Sequence, residues 1–421
     1  MANIAHVQPD EARQFAVEVV CTLREAGHAA YWAGGCVRDQ LLGRVPKDYD
    51  VATDAQPRQV TQVFGKRRTL AIGASFGVIT VLGPKHAGQI EVATFREDAG
   101  YSDGRHPDAV RYSTAREDAS RRDFTINGLF YDPVEDEVID YVGGQEDLRL
   151  RRIRAIGDPV ERFTEDKLRM LRALRFTTTY GFELDSNTYD AIRTMADQIQ
   201  VVSPERITAE MRQVLTDPRR AAGVHLLIDS GLGAAILPEI RSEDPPDAER
   251  IGRTLKVLDK LDEPGFPLAF TVALWPMIGI QQVRDIGERW RLTNKETNRI
   301  AWLLEHHDAL DGAQHRAWSA VQRVLVADGA DDLLKWMQAE RETDGTDDST
   351  VRWCREQLAR PREEIDPTPL LTGADLIQHG VSRGPIYKEL LERVRNAQLD
   401  QKIGSRRAAL ELVDRILADP S

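Results

Sequence analysis

The chain has 421 residues, enough for about two to four domains at roughly 100 to 200 residues each. Its 56 Lys and Arg against 68 Asp and Glu leave a net charge of −12, which excludes a uniformly basic surface and confines any nucleic-acid contact to local basic patches. Hydrophobic residues at 41% and charged residues at 29% exclude disordered and fibrous classes, and three scattered cysteines, Cys21, Cys36 and Cys354, exclude a disulfide framework and fit a reducing cytoplasm.

Asp10 and Glu11 stand where a secretory signal would need a basic region, so no secretion is expected. Phe15, Val19 and Leu23 recur at four-residue spacing ahead of Gly27, which predicts an amphipathic helix over Glu11 to Ala26. Short β-type runs follow: Ala29 to Ala33, Asp48 to Ala52, Val78 to Leu82, Ile90 to Phe95 and Val138 to Val142, with Pro57 opening one helix that ends near Phe64. After Gly143-Gly144 helical patterns carry the chain. Ser203 and Pro204 mark one helix start, and Thr293 with Glu296 forms a capping box at another. The apolar stretch Phe266 to Ile280 contains Pro267 and Pro276 and is shorter than the ~20 residues of a membrane span, so it reads as core. Ser242 to Asp247 and Thr343 to Thr350 read as linkers.

Chemistry concentrates in the head. In Asp48-Tyr49-Asp50, aspartates two apart on a strand share one face, and their oxygens suit Mg²⁺, which takes substrate phosphates as further ligands. Gly34 and Gly35, directly after a strand, let backbone amides approach a triphosphate, with Arg38 as charge partner. An isolated D-x-D is more often a solvated turn; here it is joined to the glycine pair. Glu91 lies between Ile90 and Val92 in an otherwise apolar strand and is expected to be buried against a metal or a basic group, the alternative being a strand-edge glutamate facing water.

These residues, with Arg121-Arg122-Asp123-Phe124-Thr125-Ile126-Asn127-Gly128, resemble the bacterial tRNA nucleotidyltransferase and poly(A) polymerase family of the polymerase-β-like superfamily, over Tyr31 to Leu215 and more loosely from Leu371. The resemblance implies an α+β chain: a small mixed-sheet nucleotidyltransferase head (1–147), then an elongated all-helical neck (148–216), body (217–342) and tail (343–421). It further implies two catalytic Mg²⁺ ions on Asp48 and Asp50, Glu91 as a supporting carboxylate, and ribose and triphosphate contacts from Arg121, Asp123 and Asn127. Two ions can activate a 3′-hydroxyl and stabilise leaving pyrophosphate. The expected partners are tRNA, at acceptor end and elbow, and the triphosphates ATP and CTP; no membrane and no protein partner is expected.

The family's base-selecting motif matches Glu165-Asp166-Lys167-Leu168-Arg169. An aspartate accepts hydrogen bonds and an arginine donates them, so one pair can accept cytosine and adenine, which offer an amino donor beside a ring-nitrogen acceptor, and reject uracil and guanine. The competing reading is an Asp166–Arg169 salt bridge within a helix. Arg172 and Arg175 continue the same face and, with Arg151, Arg152, Arg154 and Arg162, suggest a phosphate track; the alternative pairs them with Asp158 and Glu161. Arg206 and Glu210, four apart, read as a supporting pair. His306-His307-Asp308 resembles half of a phosphohydrolase metal site, yet lacks the further ligands, and a helix-end histidine pair is preferred.

Members of the family add CCA, CC or only the final A, or make poly(A). The polar stretch Arg96 to Pro107, with Gly100, Gly104 and Arg105, matches a flexible loop needed for AMP addition, which disfavours a CC-only enzyme. Ile72 to Gly77 lacks the basic pair before phenylalanine usual in the poly(A) polymerases. The expectation is therefore addition of AMP and of the whole CCA, with an A-adding enzyme as the alternative; a poly(A) polymerase or an inactive RNA-binding homologue fits less well.

Overall fold

A computed structural model describes residues 7–99, 109–241, 248–275 and 277–418. The chain divides into two compact units, Met1–Arg241 and Ser242–Ser421. The first opens with α1 (Pro9–Glu25), whose Phe15, Ala16, Val19, Val20 and Leu23 form one buried stripe. The strands β1 (Ala30–Ala33), β2 (Asp50–Thr53), β3 (Thr69–Leu70), β4 (Val78–Leu82), β5 (Gln89–Thr94), β6 (Arg96–Ala99), β7 (Ala109–Tyr112), β8 (Phe130–Asp132) and β9 (Glu137–Ile139) follow. Seven of them form a mixed sheet in the order β3-β4-β5-β2-β1-β8-β9, in which β2 and β5 run parallel and the other neighbours antiparallel. Helix α2 (Gly35–Leu41) leaves β1, and α3 (Pro57–Phe64) lies between β2 and β3.

Alternation along the strands decides the two faces of this sheet. Trp32 and Tyr49 are buried together, ring centroids 4.8 Å apart, on the side where Arg13 of α1 lies over Trp32. Residues of the opposite face, Ala33, Ala52, Phe95 and Phe130, pack with Ala119 of α4 (Ala115–Ser120). Asp50 shares that second face, at the end the packing leaves open, and the parallel register sets Glu91 beside it.

Several boundaries differ from the sequence expectation. β2 begins at Asp50, so Asp48 stands in the loop before it. β8 and the β6–β7 hairpin carry too little alternation to be read from sequence; pairing such as Glu97 with Arg111 creates the hairpin across both ends of the supposed loop. Gly100, Gly104 and Arg105 lie outside the described residues.

Beyond the sheet come α5 (Gly144–Arg149), α6 (Pro159–Glu165), α7 (Leu168–Tyr180), α8 (Ser186–Met195) and α9 (Pro204–Leu215). The stretch expected to be all-helical also holds a short parallel strand pair, β10 (Arg152–Ile153) with β11 (Glu183–Leu184), too short to leave a pattern in the sequence. α7 buries Met170, Leu171, Ala173, Leu174 and Phe176 and packs against α9. Pro204 occupies the first turn of α9, although the Ser203 side chain makes no capping bond.

All regular elements described in the second unit are helical. The segment Phe266–Leu274 is a helix buried at every residue but Pro267, which opens it, proline being tolerated in a first turn; the expected core stretch does not extend to Ile280, which is exposed. Thr293 and Glu296 form the expected capping box. The stretch 343–350 is helical at both ends and turns at Gly345, with φ +63°. Leu371, Leu376, Leu390, Val394, Ala409, Val413 and Ile416 form a separate core near the end of the chain. No described helix is long and apolar enough to cross a membrane.

Candidate active site

A cleft of about 610 Å³ in the first unit is lined by Gly34, Gly35, Arg38, Asp48, Asp50, Arg121, Arg122, Asp123, Asn127, Asp166, Arg169, Arg172, Arg175 and Phe176. Residues from four separate sequence segments thus share one wall. Tyr49 turns inward and its neighbours turn out, so Asp48 and Asp50 both open into the cleft. Neither carboxylate has an ion-pair partner among the described residues. The concave surroundings exclude enough water to push the Asp50 carboxyl up to about 6, with Asp48 and Glu91 adding repulsion and Arg122 partly opposing it.

Glu91 is exposed, not buried as the sequence suggested, because its strand alternates and turns it to the open sheet face beside Asp50. It is also no strand-edge residue, since β5 pairs with β2 and β4 on either side. Asp48, Asp50 and Glu91 are all exposed.

Opposite these acids the cations are held in place. Arg38 is buried, donates to Asp39 at 2.9 Å and to Asn127, and lies over the rings of Phe176 and Tyr180 at 5.3 and 4.8 Å, which joins α2 to α7. Asp123 is buried and accepts Arg172 at 2.9 and 2.6 Å and Asn127 at 2.9 Å. Burial opposes its charge, but Arg172 and Asn127 outweigh that and hold the carboxyl down to about 2.

Asp166 and Arg169 do not pair with each other. Arg169 donates to Glu165 at 2.6 Å and to the Arg121 carbonyl at 3.2 Å, whereas Asp166 accepts the Leu168 amide at 3.1 Å and Arg206 at 3.2 and 2.7 Å. Among the described residues no hydrogen bond engages the Arg169 Nε–H, and Asp166 Oδ2 accepts only Arg206; both residues line the cleft. Arg206 and Glu210 likewise support α7 separately: Arg206 through Asp166, and Glu210 through Arg175 and, at 3.8 Å, Arg172. The supposed phosphate track is largely neutralised, with Arg154 on Asp147 at 2.8 Å and Arg162 on Glu165 at 2.6 Å.

Comparison with known proteins gives the family of the chain. Residues 30–154 match the poly A polymerase head domain, and residues 181–243 match the family described as "Probable RNA and SrmB- binding site of polymerase A". The CCA-adding enzyme of Lactobacillus helveticus is 30% identical over 409 residues, covering 94% of this chain and 95% of that protein; the Bacillus pumilus CCA-adding enzyme is 32% identical over 408 residues, 94% and 95%. The chain belongs to the tRNA nucleotidyltransferase and poly(A) polymerase family. The crystal structure of Bacillus stearothermophilus CCA-adding enzyme in complex with CTP superposes with a TM-score of 0.74 at 28% identity, over 97% of this chain and 98% of that one. The Thermotoga maritima CCA-adding enzyme complexed with tRNA-CCA, at 20% identity, 97% and 95% coverage and a TM-score of 0.67, shares the fold.

Around this cleft, sequence reasoning did not single out Arg122 and Asp118. A Cβ on Gly34, whose φ is +72°, would lie 2.8 Å from Arg122 Nη1, so this glycine makes room for an arginine; a Cβ on Gly35 would meet only Arg38 at 3.5 Å. The signal was present: Asp118 stands three and four residues before Arg121 and Arg122.

No group of three or more His, Cys, Asp or Glu among the described residues is placed to hold a metal ion. Asp48 and Asp50, two unpaired carboxylates in one cleft, nevertheless fit Mg²⁺, which binds through one or two carboxylates and fills its remaining positions with phosphates and water. His306 stacks on Trp302 and His307 sits between Trp275 and Trp336 with Nε2 3.0 Å from Glu340, a packed histidine pair.

Proposed function

We propose that this protein adds CMP, CMP and AMP to the 3′ end of tRNA from CTP and ATP, releasing pyrophosphate. The observation that carries the reading is one cleft whose lining brings together Asp48 and Asp50, without ion-pair partners among the described residues, arginines fixed by carboxylates, and both Asp166 and Arg169. Relatives named CCA-adding enzymes match along nearly the whole chain, which supports addition of the full triplet over an enzyme adding only the final A.

In this reading the triphosphate lies between the acids and the cleft arginines, and the attacking 3′-oxygen approaches the α-phosphorus opposite the leaving pyrophosphate. Asp48 and Asp50 would hold Mg²⁺, which supplies the charge that eases hydroxyl deprotonation and stabilises the leaving group. Arg121 and Arg122 counter phosphate charge, and Arg38, Asp123 and Asn127 fix the floor beneath the ribose. Asp166 accepts from the exocyclic amine and Arg169 donates to the ring nitrogen, the order that C and A share. Glu165 and Arg206 orient this pair; Arg172, Arg175 and Glu210 fix its helix. Glu91 adds negative charge behind Asp50. The segment containing Gly100, Gly104 and Arg105 adapts the pocket from C to A, so deleting Gly100 to Gly104 should abolish AMP addition and largely spare CMP. The tail contacts the tRNA elbow and the protein works in the cytoplasm.

The test uses tRNA lacking CCA and tRNA ending in CC, each with CTP, ATP or both. The expected products are two C residues with CTP alone and a complete CCA with both nucleotides. If only tRNA ending in CC is extended, by one A, the protein is an A-adding enzyme; if neither is extended, the reading fails.

A further inference from the structure

Asp118 is absent from every role above, yet it is a buried carboxylate paired with two arginines that line the cleft. One oxygen accepts Arg121 at 2.9 and 2.7 Å and the Arg96 amide at 3.3 Å. The other accepts Arg122 at 3.2 and 2.9 Å. Arg121 Nε also reaches the Arg96 carbonyl at 3.0 Å, and the Arg121 carbonyl receives Arg169 at 3.2 Å. One side chain therefore joins the first residue of the β6–β7 hairpin, both cleft arginines and, through the Arg121 backbone, the base-selecting helix.

Two adjacent guanidinium groups repel, and each free arginine samples many rotamers. A carboxylate forked between them removes both problems: it offsets one positive charge and fixes both planes before any ligand arrives. Burial works against the Asp118 charge, but Arg122 and then Arg121 more than offset it, so the carboxyl stays below its ordinary range. It is ionised throughout the neutral range.

The geometry points to Asp118 as a positioning residue for nucleotide binding, one that aims Arg121 and Arg122 at the triphosphate and ties their position to the β6–β7 hairpin. This inference rests on the cleft's being a nucleotide site. Asp118→Asn keeps the shape, removes the charge and turns an amide toward two cations.

The experiment measures KM and kcat for ATP with tRNA ending in CC, together with Tm, for the full-length protein. Asp118→Asn is expected to raise KM about tenfold or more while kcat falls less than threefold. Leu23→Ala, in the core of α1, should lower Tm without moving KM, which separates positioning from lost stability. In an Arg121→Ala/Arg122→Ala background, adding Asp118→Asn should change KM less than twofold, since Asp118 acts through those arginines. If Asp118→Asn yields no folded protein, Asp118→Ser is judged by the same criteria. A native protein without transfer activity removes the nucleotide reading itself. An active native protein whose Asp118 variant keeps the native KM, or whose effect is undiminished without the arginines, overturns the positioning role.

Discussion

Arg206 donates to both carboxylate oxygens of Asp166, at 3.2 and 2.7 Å, from a helix 40 residues further along the chain. The acceptor proposed to choose the incoming base is extended between α6 and α7 and is thus aimed by α9 together with the Leu168 amide. Arg206→Ala frees that carboxylate to rotate. Discrimination against UTP and GTP is expected to fall about tenfold, the scale of one charged hydrogen bond. Incorporation of each single nucleotide into tRNA ending in CC measures it, and unchanged selectivity would assign the aiming to another contact.

Asp50 carries a stability cost that follows from its geometry. Its folded value near 6 lies above the unfolded one near 3.9, so the ionised group destabilises the fold above pH 6, and the penalty fades as pH falls toward about 4. In metal-free buffer Asp50→Asn should therefore raise Tm at pH 7 to 8, with the gain gone near pH 4, while abolishing transfer. A lower Tm at pH 7 would contradict the crowding of acids in the cleft.

Asp123 should behave in the opposite sense. Its folded value near 2 lies below the unfolded one, so ionised Asp123 stabilises the fold by about 2 kcal/mol above pH 5, and this is lost as pH falls toward 2. Asp123→Asn is expected to cost about 2 to 4 kcal/mol at pH 7, because Arg172 loses its partner, with a difference from the native protein that shrinks on acidification. Urea unfolding at pH 7, 4 and 3 gives the comparison; a constant difference would exclude the ion pair as its source.

Gly34→Ala places a methyl group 2.8 Å from Arg122 Nη1 at a φ of +72°. The backbone cost is on the order of 1 to 3 kcal/mol, and the arginine end gives way before the turn does. Nucleotide KM should rise with a modest loss of Tm, whereas Gly35→Ala, whose Cβ would lie 3.5 Å from Arg38, should be milder in both. Equal effects would mean that the pair acts by backbone exposure alone.

Asp48, Asp50, Asp166 and Arg169 could be found in the sequence because each stands in a short motif, although Asp48 lies in the loop before β2 and Asp166 is extended between α6 and α7, so neither the shared strand nor the shared helix face that the spacing suggested is formed. Helix starts at Pro57, Pro204 and Thr293 were legible for the same local reason. Pairing across the chain was not. The local sequence is equally compatible with Asp166 paired to Arg169 or to Arg206, and with Glu91 turned to core or to solvent.

The amino-acid sequence alone determined the chemistry available and the local elements that carry it, because periodicity, caps and short motifs act over a few residues. Only the tertiary structure decided which arginine each aspartate holds, that Glu91 faces outward beside Asp50, and that Asp118 governs two cations at once. Those outcomes depend on sheet register and on the packing of α4, α7 and α9, where residues forty or more positions apart meet, and no local pattern encodes such a meeting.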